Sequence, residues 1–243
     1  MPAGRPQTIA PEVLGGIQKW LATASTYAQP NDFFFKSTLQ SAEKLSNADS
    51  FAGALAKAFT YHLIGEIDES LHWVGNLRKY QREPMAVSAT EAIVLSNLGY
   101  FGRATDVFRK TPAEPGMLEA ILLVCGSFEM LLARAEGTAL ADTEKGREII
   151  LVAERCVMTL SQFGIQEAQL QSVLELAGEV LRSHRMFFAD ELPLIRTNED
   201  GLLYQLRVRV DPSVAAQYTD EVIDLMIERD LDVDGLSFSF LPA

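Results

Sequence analysis

Asp230, Asp232 and Asp234 alternate along a short run that ends in Gly235. Carboxylates at positions one, three and five of a loop converge on a hard cation, and glycine at position six makes the sharp turn. The second half of such a calcium loop is missing, because Leu241 stands where a bidentate glutamate belongs. The run therefore reads as a solvated turn between a helix and a strand. The three histidines, His62, His72 and His184, lie in no HExxH pattern and have no cysteine beside them, so zinc is not expected. His62 with Glu66, and Asp68 with His72, are one helical turn apart, the spacing of surface pairs on a helix. Cys125 and Cys156 form no CxxC and read as small core residues of a reducing compartment. No phosphate-cradling glycine loop, GxSxG elbow or dinucleotide fingerprint is present. The expectation is a non-enzyme with no catalytic residue, no metal and no cofactor.

Charge narrows the partners. The chain has 243 residues and a formal net charge of -12. From Met186 onward there are twelve Asp or Glu against four Arg and no Lys. A sheath of phosphates repels such a surface, so nucleic acid is not an expected partner, while a basic protein is attracted. The opening Met1-Pro-Ala-Gly-Arg-Pro is followed by no apolar signal core. The most apolar stretch, 117–133, is interrupted by Glu119, Gly126, Ser127 and Glu129 and is too short for a membrane span. A cytoplasmic protein with no membrane partner is expected.

The elements carrying these residues are mostly helical. Val13, Leu14, Ile17, Trp20, Leu21 and Ala24 give residues 11–27 a helical stripe, and Pro30-Asn31-Asp32 breaks it. Phe33, Phe34 and Phe35 cannot all share one side of the helix they lead into (36–45), so at least one must fill a neighbouring groove. Asp49 or Ser50 can cap the next helix, 51–63. Residues 117–136 read as one long buried helix, and 144–160 with 165–187 as an antiparallel pair broken at Phe163-Gly164.

One self-match stands out. Ala58, Tyr61, Gly65, Ile67, Ser70, Leu71 and Val74 recur 34 residues later as Ala92, Leu95, Gly99, Phe101, Ala104, Thr105 and Phe108. Over residues 51–115 the sequence thus resembles the tetratricopeptide repeat family, with Pro84, and more loosely Pro112 or Pro115, at its closing proline. Ala54 stands where that family's early tryptophan falls. The resemblance implies antiparallel helical-hairpin repeats stacked as a solenoid over 11–188, binding a protein partner in a concave groove. The positions it would turn outward into that groove are Lys57, His62, Glu91 and Asn97, with Tyr61 partly in the core. An adaptor, scaffold or chaperone is the expected role. The alternatives are an acidic inhibitor or immunity protein masking a basic effector, or a self-assembling structural subunit that pairs through C-terminal strands.

The character changes after Asp190. Pro193 and Asn198-Glu199-Asp200-Gly201 signal turns, and 202–210 alternates, with Leu202, Tyr204, Leu206, Val208 and Val210 on one face. Asp211-Pro212 starts a helix that runs to 230, and 236–241 is a second strand. This gives a small βαβ element over 200–243. Two parallel strands make a poor sheet and want a third, from the linker, a second copy or a partner, so homo-oligomerisation through these strands is an expectation too.

Overall fold

A computed structural model describes residues 9–80, 84–111, 119–136, 139–188, 192–231 and 233–243. The opening residues through Pro6, and Pro112, Pro115, Met117, Gly137, Asp190 and Asp232, which figure in the sequence reading, lie outside the described residues. Among the described residues the structure is 67% helical, with eleven helices and a three-stranded mixed sheet near the C-terminus. The chain divides into two compact units, residues 1–90 and 91–243.

The first unit is built around α3 (Ser50–Leu63), against which α1 (Ala10–Leu21), α2 (Phe33–Ala48) and α4 (Ile67–Arg78) pack. The sequence explains the crowding: Ala52, Gly53, Ala54, Ala56 and Ala58 give α3 so thin a surface that neighbours approach closely. At Gly53 even a Cβ would collide with Ser46 of α2. Asp49 is the cap, its carboxylate accepting from the Ala52 amide at 3.0 Å. The three adjacent phenylalanines separate as their spacing requires. Phe33 is exposed, Phe34 stacks on Trp20 with centroids 5.9 Å apart, and Phe35 is buried edge-on to Tyr61. The first helix is shorter than its stripe, ending at Leu21. The chain beyond it crosses to α3, where the Ala28 amide donates to Leu63 O and the Tyr27 ring covers Gly65.

The 34-residue self-match has a structural cause. Gly65 and Gly99 each adopt a positive φ, 76° and 74°, just past the ends of α3 and α5 (Pro84–Asn97). At each, the glycine amide and the next amide fold back onto the helix: Gly65 to His62 O and Glu66 to Tyr61 O, Gly99 to Ser96 O and Tyr100 to Leu95 O. This satisfies two orphan carbonyls and reverses the chain, and α4 and α6 (Phe101–Lys110) begin two residues on.

The second unit uses the same device where the sequence period has lapsed. The single helix expected over 117–136 is two: α7 (Glu119–Val124) and α8 (Phe128–Ala135). Gly126 breaks it with φ 62°, its amide donating to Leu123 O and that of Ser127 to Leu122 O. Gly164, φ 67°, closes α9 (Glu144–Gln162) in the same way ahead of α10 (Glu167–Ser183). A side chain at Gly178 of α10 would collide with the Gly99 carbonyl, so the α5–α6 turn sits directly on α10. Arg134 of α8, buried, donates to Phe108 O (3.1 Å) and Thr111 O (2.8 Å), placing a cation at the carbonyl end of α6.

After α10 come β1 (Leu194–Asn198), β2 (Gly201–Val208), α11 (Pro212–Glu228) and β3 (Leu236–Pro242). The strand order is β1-β2-β3, with β1 antiparallel and β3 parallel to β2. The third strand is thus the linker's own, Leu194–Asn198, paired with β2 through the Asn198–Gly201 turn. Leu202, Tyr204, Leu206 and Val208 are buried as their alternation requires, and the Tyr204 hydroxyl donates to the end of α7, 2.6 Å from Leu123 O and 2.9 Å from Val124 O. At α11, Asp211 holds the N-cap place before Pro212 but makes no side-chain cap bond.

Candidate functional site

The two units each hold some of the residues the sequence singles out. Lys57, Tyr61 and His62 belong to the first, Glu91 and Asn97 to the second. The ammonium of Lys57 lies 4.2 Å above the Trp73 ring. Tyr61 is half-buried, and burial with Glu69 and Glu43 nearby pushes its hydroxyl pKa up. His62 is not an outward residue: it is fully buried, with its ring 6.2 Å from that of Phe59. The reason is one turn of helix, because Ala54, Ala58 and His62 share the face that α3 buries. Burial pushes the His62 pKa down to about 3, so the imidazole is neutral. The expected His62–Glu66 surface pair therefore does not form. His72, exposed, contacts Asn76 (3.2 Å) rather than Asp68. Glu91 and Asn97 are half-buried on α5, and the Asn97 carbonyl accepts the Phe188 amide at 2.9 Å.

A polar cluster that was not found from the sequence lies between α10 and α11. His184 Nε2 is 2.7 Å from Glu221 Oε2, and its ring stacks on Tyr218 with centroids 4.2 Å apart. Gln217 Nε2 donates to the other Glu221 oxygen at 3.3 Å. Further along, Arg229 grips both oxygens of Glu179 at 2.9 Å. Between these ties is an opening of about 250 Å³ lined by Glu179, Val180, Glu221, Asp224 and Leu225. The Ser183 hydroxyl, on the same rim, donates to Val180 O at 2.8 Å. The histidine and the serine are thus spent within the protein, as are both oxygens of Glu179 and of Glu221, and the lining carboxylate that faces outward is that of Asp224, over an apolar floor.

The outer face of α11 continues this surface. Ile223 (41%) and Ile227 (63%) are exposed, and Asp220, Asp224 and Glu228 run beside them at one-turn intervals. Arg229, the one basic residue of the segment, is committed to Glu179. The signal was available in sequence as an acidic i, i+4, i+8 stripe, but it becomes a face only once Tyr218, Val222 and Met226 are known to point inward.

The half calcium loop is explained by backbone. Asp230 has φ 54° and closes α11, with the Leu231 amide on Met226 O. Gly235 has φ 82°, and a side chain there would collide with Phe163. Among the described residues no group of three His, Cys, Asp or Glu could hold a metal ion. No helix of the described residues is long and apolar enough to cross a membrane.

In comparisons with known proteins, the chain matches no protein-family model, no curated protein and no solved structure.

Proposed function

We propose that this protein is a non-enzymatic interaction module, an adaptor, scaffold or chaperone that holds a basic protein partner on the α10–α11 surface of its second unit. The observation that carries this reading is the outer face of α11, where two exposed isoleucines lie beside the acidic stripe of Asp220, Asp224 and Glu228, which borders the opening at Asp224. An apolar stripe supplies affinity by burial, and carboxylates of one sign select a Lys- or Arg-rich partner and speed its encounter. A basic amphipathic helix has the complementary pattern. The helical hairpins with their repeated glycine turns, read as a divergent tetratricopeptide-like array, belong to the same proposal as the frame that carries this surface. Masking of a basic effector would use the same face, and inhibition at one-to-one stoichiometry would identify it.

The test is titration of a fluorescent Lys/Leu amphipathic helical peptide at low salt against the wild type and an Asp220→Lys, Asp224→Lys variant. The reading expects saturable binding that weakens in the variant by on the order of tenfold or more. Equal binding by both proteins, or none by the wild type, overturns it.

A further inference from the structure

The outer face of α9 has a different pattern. At ~100° per residue the helix turns Gly146, Ile149, Ala153, Cys156 and Leu160 inward. The opposite side presents Leu151 and Met158, two turns apart and 45% and 71% exposed. These two form a line along the middle of the face. Helical geometry places Arg147 and Glu154 on one flank of that line and Glu148 and Arg155 on the other, all four exposed. Each flank thus carries one cation and one anion, in opposite order along the helix.

We infer that α9 is a self-association surface, on which two copies of this chain pair helix to helix, in parallel, about a two-fold axis. In that arrangement each flank meets the opposite flank of the partner at the same height. Arg147 then faces the partner's Glu148, and Glu154 faces the partner's Arg155, with the reciprocal pairs generated by symmetry. Leu151 meets the partner's Leu151 in the middle, and Met158 the partner's Met158. The antiparallel register that covers both apolar residues, Leu151 against the partner's Met158, turns each flank onto itself, setting Glu154 against the partner's Glu154 and Arg155 against the partner's Arg155. Among registers that cover both Leu151 and Met158, charge order along the helix therefore chooses the parallel pair, although Glu144, exposed at the helix's N-terminal end on the same line, then meets its own copy. Arg147 contributes through its remaining N–H groups, since it also donates to Ala141 O (3.0 Å) and Asp142 O (3.2 Å). The α11 face offers no such pairing, because its acidic stripe repels a second copy of itself. Of these two faces, self-association thus belongs to α9, and this inference does not depend on the function proposed for α11.

Cross-linking of the full chain tests both the pairing and its direction. Cys125 and Cys156 are buried and their thiol pKa values are pushed up to about 12 by that burial, so they do not compete with an introduced surface thiol. Leu151→Cys and Met158→Cys, each alone, should give covalent dimers with a short bis-maleimide. An antiparallel pair would instead give dimers only when the two variants are mixed, which overturns the inference. In parallel, sedimentation across a concentration series should show the wild type moving from one chain to two. Glu154→Arg sets four cations together and should weaken that association by on the order of tenfold or more, while Glu154→Arg with Arg155→Glu restores it. All these positions are exposed, and unchanged circular dichroism confirms that each variant folds. A wild type that stays a single chain throughout, or Glu154→Arg with unchanged association, overturns the inference.

Discussion

Two helices of the second unit, α9 and α11, both leave a pair of large apolar side chains in solvent, Leu151 with Met158 and Ile223 with Ile227. The apolar parts are alike. What differs is the sign pattern beside them: α9 alternates Arg and Glu across its line, whereas α11 carries Asp220, Asp224 and Glu228 and spends its one arginine on Glu179. Alternating charges can satisfy a second copy of themselves; charges of one sign cannot. The lesson is that the apolar stripe measures how strongly a helix wants a partner, and the flanking charges say whether that partner is itself.

The sharpest way to break this comparison is to remove the scaffold that carries both faces. Gly178 lies against the Gly99 carbonyl, so Gly178→Ala forces overpacking that costs about 1–3 kcal/mol. Its urea midpoint should fall, and at intermediate urea both self-association and peptide binding should be lost together.

A pH titration sets the window for comparing the faces. His62 titrates near 3 when folded against an ordinary value near 6.5, so the unfolded chain binds the extra proton below pH 6.5. The contribution of this group to stability is therefore full above pH 6.5 and falls as pH drops toward 3, by roughly 1 kcal/mol per pH unit. This loss arises in the first unit. His62→Leu should flatten the slope of urea stability between pH 6.5 and 5 relative to wild type, and an unchanged slope would contradict the assignment.

Within that window the charge variants separate the two surfaces. Asp220→Lys with Asp224→Lys should weaken peptide binding by on the order of tenfold or more and leave the sedimentation behaviour intact, while Glu154→Arg should do the reverse. Salt separates the two surfaces as well, and its effect on the α9 pair is the smallest expected. Raising ionic strength should weaken peptide binding to α11 steeply, because a field of one sign attracts the peptide from a distance and is screened. It should weaken the α9 pair only modestly, because exposed ion pairs contribute little each and the Leu and Met contacts are insensitive to salt.

Parts of this were legible in the sequence for definite reasons. Gly65 and Gly99 follow helices of matching pattern, Ala58 and Ala92 seven residues before each and Ile67 and Phe101 two after, so their shared turn appears as a 34-residue self-match. Gly126 makes the same turn, but the spacing has changed and Leu122, Leu123, Phe128 and Leu131 are buried on both sides of it, so no change of pattern marks the break. The alternation of Leu202, Tyr204 and Leu206 shows β2 plainly, whereas β1 is five residues long and only Ile195 and Thr197 against Arg196 and Asn198 hint at it. His62 was misplaced although its position was implied. Once Ala58 is a packing residue, the residue four further on is inside with it. The faces of α9 and α11 need the opposite information, since an outer face is defined only after the inner one is known.

The most direct measurement is the stoichiometry of the complex with the Lys/Leu peptide, by sedimentation of labelled peptide with chain held above its self-association midpoint. Separate surfaces predict two chains carrying two peptides, and a one-to-one complex for Glu154→Arg. Peptide that drives the paired chains apart into one-to-one complexes would mean that one surface serves both ends, and would contradict the account.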